Sequence, residues 1–554
     1  MKRFQKYKTP LSRKEKKRRN KEWLLLILSG ILLALSFTPF PFPFTLLIFI
    51  AFLPYLSVLE KRTSFASISR ATFIFTFIFS LLTLYWVGSW QSSADPFLMM
   101  GGGALLLAYP CVFLIPSTLY YLAKKIFPKV NALYFFPLFW VTAEYLLTLS
   151  DLRFPWVLLG HGLAKFHLFI QSAEIIGTFG LSVVVAYINI LLYKSYKNYK
   201  AGKKLISPAL LTAIILFATF LVYGLVRTST FILSERILKV GLVQPNLNPW
   251  DKWETGNLDN LLDLYLEQST EAIDEGAQII LWPETALPVY AFGGSYPQIT
   301  DKIFNFIEEN QVGLLTGIPD IRIFSGKENI PDDAKHGEKN DFYYTTYNSV
   351  ILLVPGSRDL QRYGKMKLVP LGEKVPFVEH FSFLGNFLKW GVGISGWNVG
   401  QDTTVFKLTL NNSDKDTIKI SGLVCFESVF PAFVTNFVQR GAELIAVVTN
   451  DSWYGKSSGP YQHKEFGVLR AIENRRSVVR CANGGVSCLI NALGETVAET
   501  EMFTKTVLVV NVPLQTEETF YTNNPLIFPL LSSVFSFWIF GMNILFWLKK
   551  KFKL

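Results

Sequence analysis

Gly422-Leu423-Val424-Cys425-Phe426-Glu427 reads as the apolar end of a strand that delivers a thiol and then a carboxylate. Strand ends are rigid platforms, and the loops beside them often carry chemistry. Two stretches further upstream have a similar form. Leu281-Trp282-Pro283-Glu284 closes an apolar run on a carboxylate, and Tyr363-Gly364-Lys365 places an ammonium after the run Ser349 to Val354. A thiol that attacks a carbonyl needs a base to make thiolate, and a donor where the oxyanion develops. Glu284 suits the first need and Lys365 the second, with the Phe426 backbone N–H as a further donor. Taken singly these residues have ordinary readings, since buried cysteines mostly pack and charged residues at strand ends are mostly solvated. Their combination is far more specific.

Working outward, segment 227–525 has the texture of an α/β domain. Lys239 to Val243, Ala277 to Trp282, Val312 to Gly317, Ser349 to Val354, Ile418 to Val424, Leu444 to Thr449, Ser477 to Cys481, Val486 to Asn491 and Val507 to Val512 read as strands. Leu258, Leu261, Leu262, Tyr265, Leu266 and Ile273 recur at helical spacing, and Gly276 ends that helix. Tyr461 to Arg475 reads as a second helix. Such alternation predicts stacked α and β layers.

Beyond that segment the composition changes. The 554 residues are 50% hydrophobic but only 17% charged, and the apolar excess lies before residue 230 and after residue 525. A bilayer crossing needs about 20 apolar residues, and on that criterion the chain holds about eight. They lie near 23–39, 43–59, 72–90, 102–123, 132–150, 166–193, 206–226 and 526–548. Lys and Arg favour alternate loops: the N-terminus, then Lys61 to Arg70, Lys124 to Lys129 and Lys194 to Lys204. The positive-inside rule then places both termini in the cytoplasm and segment 227–525 outside it. Only Arg153 and Lys165 break the pattern. The expected division is a basic N-terminus (1–22), seven spans (23–226), a catalytic domain (227–525), and a last span with a basic tail (526–554). The net charge of +12 is explained by the basic clusters Lys2 to Lys21 and Lys549 to Lys553 beside apolar runs, so no nucleic-acid partner is expected.

Four cysteines are too few for a disulfide scaffold. Cys111 reads as packing. Cys481 and Cys488 flank the turn Asn483-Gly484-Gly485, which leaves two readings open, a cross-strand disulfide or two buried free thiols.

The Glu-Lys-Cys set resembles the nitrilase superfamily, which implies an α-β-β-α sandwich. The flanking spans narrow the resemblance to the apolipoprotein N-acyltransferase family. It is carried by Val243-Gln244-Pro245-Asn246, Trp282-Pro283-Glu284-Thr285, Leu368 through Glu373, Cys425-Phe426-Glu427, Asn450 through Gly455, Gly459 through His463, and Arg470 to Asn483. The resemblance implies Cys425 as nucleophile, Glu284 as base and Lys365 as oxyanion stabiliser. Glu373 and Glu427 would be supporting carboxylates that orient Lys365 and the incoming amine. Trp253 and Trp156 would help to hold lipid, with interfacial anchoring or packing as the alternative. Segments 286–300 and 375–398, with Tyr290 and Trp390, are candidates for a lipid gate. Phe426 stands where the family often has Tyr, and Leu371 where Phe is common.

The implied partners are a phospholipid acyl donor, a diacylglyceryl apolipoprotein acceptor and the bilayer, with no cofactor and a monomeric state. Neither His161 nor His463 has partners at metal-ligand spacing, so no metal is expected. His463 reads as structural and Asp451 as a turn or cap residue. The competing functions are a membrane-anchored amidase and a transporter that kept a dead hydrolase domain. Intramembrane charge would favour transport, and the spans hold little beyond Glu144 and Glu174, which read equally as packing partners or as lining a lipid path.

Overall fold

The computed structural model describes residues 12–91, 96–204, 206–249, 258–324, 330–337, 342–377, 396–410 and 416–552. Its first helix, Arg13–Leu35, opens on a capping box in which Ser12 and Glu15 each satisfy the other's backbone N–H. The first half of this helix is basic and the second apolar, so the span expected near 23–39 is the end of a longer rod.

Among the described residues, six helical segments are long and apolar enough to cross a membrane. They are Phe42–Leu59, Phe65–Gly88, Leu98–Ile126, Ala173–Lys200, Pro208–Thr230 and Ile527–Phe552. The stretch expected at 132–150 is a shorter apolar helix, Ala132–Leu146. The stretch expected at 166–193 is split into a single turn, His167–Ile170, and the long helix Ala173–Lys200. That long helix turns sharply at Gly177, whose φ is 61° and where the ring of Tyr521 sits so close that no Cβ would fit. On Pro208–Thr230 the side chains Leu211, Ile214, Ile215, Val222, Leu225 and Val226 are exposed, as befits a helix whose outer face meets lipid.

Thirteen strands among the described residues form two sheets. The first holds β1 (Ile237–Gln244), β2 (Ile279–Trp282), β3 (Gly313–Phe324), β4 (Lys335–Gly337), β5 (Phe342–Leu353), β6 (Gln361–Gly364) and β13 (Thr506–Pro513), in the order β13-β1-β2-β3-β5-β4 with β6 also on β5. The second holds β7 (Val405–Thr409), β8 (Thr417–Val424), β9 (Leu444–Thr449), β10 (Ser477–Ala482), β11 (Cys488–Ile490) and β12 (Thr496–Glu499), in the order β12-β11-β10-β9-β8-β7. β1, β2 and β3 run parallel, as do β8, β9 and β10, so their carboxyl ends lie side by side. The sheets pack face to face, with β1 and β2 against β10 and β5 against β8.

Helix Leu258–Asp274 covers the first sheet by the face that carries Leu261, Leu262, Tyr265 and Ala272. Helix Ser458–Asn474 covers the second sheet and is itself buried along nearly its whole length, because its far side packs on the membrane helix Ala173–Lys200. The result is an α-β-β-α sandwich set against a helical bundle. Cys481 and Cys488 are both buried free thiols. Arg480, and not Cys481, stands opposite Cys488 across the β10–β11 ladder, so the two cysteines point to opposite faces.

Candidate active site

Glu284 follows β2, Lys365 follows β6 and Cys425 follows β8, and the topology brings all three strand ends to one place. The Lys365 ammonium lies 2.8 Å from Glu373 Oε1 and 3.5 Å from Glu284 Oε1. Asn348, in the middle of β5, donates its amide to both carboxylates, at 2.8 Å to Glu284 and 2.9 Å to Glu373. The backbone N–H of Asn450 closes on the second Glu284 oxygen at 3.1 Å. Gly317 on β3 makes this crowding feasible: a Cβ there would come within 2.6 Å of Glu284 Cα. Burial disfavours charge on Lys365, but Glu373, Glu284 and the thiol outweigh it and hold the ammonium above its usual range. Lys365 therefore offers a fixed positive charge at any working pH.

The Cys425 thiol sits on a strained corner. Cys425 has φ 50°, a region that costs a non-glycine residue about 1–3 kcal/mol and persists only where surroundings enforce it. Glu427 does much of the enforcing. Its carboxylate accepts from Val424 N (2.9 Å), Met366 N (2.7 Å), Lys367 N (3.1 Å) and the Tyr363 hydroxyl (2.7 Å). It thus ties the β8 corner to the loop that carries Lys365. Of the two carboxylates expected to support Lys365, Glu373 bonds the ammonium directly and Glu427 bonds the backbone of the loop that carries it. Burial first, and then the Glu284 charge, push the Cys425 thiol well above its ordinary value, while Lys365 pulls it back.

A cavity of about 480 Å³ opens onto these groups. One wall is polar: Glu284, Lys365, Glu373, Cys425, Asn348 and Asn450. The Asn348 side-chain oxygen, Oδ1, is buried there without a hydrogen-bond partner among the described residues. The membrane bundle supplies further lining, with Leu98, Gly101, Leu105, Tyr109 and Val112 on the helical segment Leu98–Ile126, then Leu147 and Phe154. Only 22% of the most apolar stretch of that segment is buried inside the protein.

The chain matches the carbon-nitrogen hydrolase family over residues 239–521 and the apolipoprotein N-acyltransferase N-terminal domain over residues 29–191. It is 32% identical to an apolipoprotein N-acyltransferase of Chlorobaculum tepidum, across 92% of this chain and 94% of that protein. The chain belongs to the apolipoprotein N-acyltransferase family. Relatives of the same name in Geobacter metallireducens (29% identical, 90% of this chain, 91% of that protein) and Rickettsia typhi (30%, 86% and 88%) cover nearly as much. The molecule is an acyltransferase and a multi-pass membrane protein.

Within this acyltransferase some expected lipid-contacting residues lie elsewhere. Trp156 is withdrawn from the cavity: it stacks on Phe426 at 6.3 Å and on Phe154 at 5.6 Å, and donates its indole N–H to Gln462 at 2.9 Å. The phenylalanine that departs from the family pattern is therefore part of an aromatic stack between nucleophile and bundle. Tyr290 borders a neighbouring hollow with Trp397, and Trp397, Trp453 and Tyr454 line the catalytic cavity. Trp253, Trp390 and most of the gate segment 375–398 lie outside the described residues.

The sequence reading also missed a buried network beneath the thiol. His463 Nε2 lies 3.0 Å from the Cys425 carbonyl oxygen and 3.1 Å from Ser428 Oγ, and His463 Nδ1 lies 2.8 Å from Asp451. Asp451 pairs in turn with Arg480, and despite burial Arg480 and His463 hold its carboxyl far below the usual range. The Cys425, Asp451 and His463 donor atoms fall within 4.8 Å of one another, a metal-like spacing. The Asp451 and His463 atoms are already engaged by protein partners, so their chemistry here is that of hydrogen-bonded support.

Proposed function

We propose that Cys425 carries an acyl group from a membrane phospholipid to the α-amino group of a diacylglyceryl-modified N-terminal cysteine of apolipoproteins. One observation supports this reading above the others: a single cavity is lined both by Cys425, Glu284 and Lys365 and by membrane helices. Both substrates are anchored by acyl chains, and each CH₂ held in apolar surroundings is worth about 0.8 kcal/mol. Carrying such a chain out to water is prohibitive, so the thiol has to open onto the bilayer.

In the first half-reaction Glu284 takes the Cys425 proton and the thiolate sulfur bonds to the ester carbonyl carbon. Negative charge develops on the carbonyl oxygen, where Lys365 and the Phe426 N–H act. Collapse breaks the ester C–O bond, Glu284 returns the proton to the departing oxygen, and a lysophospholipid leaves a thioester behind. In the second, the acceptor's amine attacks the thioester carbon, its proton passes to Glu284, and the C–S bond breaks to free the thiol. The product is an amide-linked third acyl chain. This is ping-pong covalent catalysis.

In the same reading the molecule acts as a monomer in the bacterial inner membrane, with both termini cytoplasmic and the sandwich at the periplasmic face. The working division is residues 1–22, 23–226, 227–525 and 526–554. Mass spectrometry of the intact protein after incubation with phospholipid tests the proposal. An acyl-sized gain is expected, absent in Cys425→Ala and discharged as amide by a diacylglyceryl peptide. No gain with any phospholipid, or release of free fatty acid in place of amide, would overturn it.

A further inference from the structure

Beside the catalytic cavity lies a second hollow, of about 340 Å³, whose walls include Tyr290, Tyr296, Pro319, Ile321, Ile323 and Trp397. All its lining residues fall between 288 and 323 or at 397, so they belong to the sandwich and none to the membrane helices. Trp397 lines both spaces and forms the partition between them. Its side chain is held: the ring meets Tyr290 edge-on at 6.4 Å, and the next residue, Asn398, bonds Thr346 of β5 in both directions, at 2.7 and 2.8 Å. Yet Trp397 is only 9% exposed, and its indole N–H has no hydrogen-bond partner among the described residues. A buried donor left unpaired costs about 1–3 kcal/mol, and indole N–H groups ordinarily find an acceptor. A fixed, unpaired donor at the edge of an active site is the mark of a ligand contact.

We propose that this hollow receives the polypeptide part of the acceptor, the residues that follow its lipid-modified cysteine, and that the Trp397 N–H donates to a peptide carbonyl there. The inference rests on the acyl-transfer reading above. Of the two substrates only the acceptor continues as a polypeptide beyond the reacting amine. Acyl chains have the bundle-lined side of the cavity and carry no acceptor along their length. A space walled only by the sandwich, rimmed by aromatic and proline rings and entered past Trp397, suits an extended peptide leading away from Cys425. Tyr and Trp supply such contact at little cost in conformational freedom.

The test uses the full-length protein, loaded with acyl group from phospholipid in detergent micelles. Its thioester is then discharged either by diacylglyceryl-cysteinamide or by a diacylglyceryl-cysteinyl hexapeptide, and the ratio of the two rates is taken within each variant. The peptide is expected to discharge wild type about fivefold faster, the worth of one hydrogen bond. Trp397→Phe, which keeps the ring and removes the N–H, brings the ratio towards one. So does Ile323→Trp, placed at the exposed rim of the hollow to fill it. A wild-type ratio of one, a ratio that survives both substitutions, or an equal slowing of both acceptors at an unchanged ratio would overturn the proposal. A wild-type protein that takes no acyl group would sink the acyl-transfer reading and this inference with it. A loaded enzyme indifferent to the peptide sinks this inference alone.

Discussion

In the proposed mechanism the Glu284 carboxylate acts on Cys425 in two opposed ways, drawing the proton off during attack while its own charge disfavours the thiolate in the resting site. Glu284→Gln separates the two. The amide cannot take a proton, so thioester formation should fall by about 10²–10⁴-fold. The thiol itself should become easier to ionise, because the negative neighbour is gone and Lys365 stays. Iodoacetamide alkylation of Cys425 against pH should therefore shift to lower pH in the variant, and a shift upward would show that Glu284 does not lie against the resting thiol. His463 acts on the same sulfur through the backbone. His463→Ala removes one of two hydrogen bonds to the Cys425 carbonyl, which keeps Ser428, and one of two to Asp451 Oδ1, which keeps Thr449, at about 0.5–1.5 kcal/mol for each bond lost. Thioester formation should drop about 10- to 100-fold, with His463→Gln recovering part because its amide can still donate to the carbonyl. Glu284 and Cys425 stand out in the sequence because each ends an apolar run, whereas Lys365 stands out only by its place between them. The His463 network does not stand out, since its members sit on separate elements and only the folded sheet edge makes them neighbours.

The strands owe their legibility to burial. β1, β2, β8, β9 and β10 are buried along most or all of their length, and each was expected from an apolar, β-branched run. The unread ones, β4, β6, β7 and β12, are short and partly exposed, so their pairing is set by the neighbouring strand and not by their own pattern. Asn348 was missed for a related reason. It lies within β5, one residue before the run that was expected, and its place between two carboxylates follows from the β5–β6 register, which sets Ser349 opposite Gly364. At this scale Gly317→Ala is decisive. The added methyl would meet Glu284 Cα at 2.6 Å and Pro283 O at 2.8 Å, both backbone atoms that cannot swing away. Either β3 or the base must shift, with about 1–3 kcal/mol of strain. Acyl transfer should fall at least tenfold while the protein stays folded and membrane-bound, measured by single-turnover thioester formation beside a thermal melt. Wild-type rates would mean that Glu284 tolerates displacement.

The sandwich and the bundle share one continuous apolar core, and the polar groups at their junction account for one of the two intramembrane charges, Glu174. Glu174, at the start of a membrane helix, bonds Arg475 of the sandwich at 2.6 Å and Arg227 of the next membrane helix at 2.8 Å. Arg475 also donates to Gln171 and to the Ala492 carbonyl. Glu473 similarly accepts from Thr178 and pairs with Arg470. Gln462 gathers the indoles of Trp86 and Trp156 and the carbonyls of Thr38 and Thr83. The sequence left Glu174 between packing and lining a lipid path; its partners make it a bolt between the two halves. The Arg475 side chain is fully buried and that of Glu174 is 7% exposed, so removing Glu174 leaves the Arg475 charge to neutral acceptors alone, at about 3–5 kcal/mol, while removing Arg475 leaves Glu174 paired with Arg227. Replacing both by apolar residues of similar size strands neither. In detergent, Glu174→Met should lower the melting temperature markedly and Arg475→Met less, while the double variant should melt closer to wild type than Glu174→Met alone. That positive coupling is the signature of a buried pair. Because the pair is shielded from solvent, the pattern should persist at high salt. Strictly additive losses, or single variants that melt like wild type, would mean that apolar packing alone holds the two halves together.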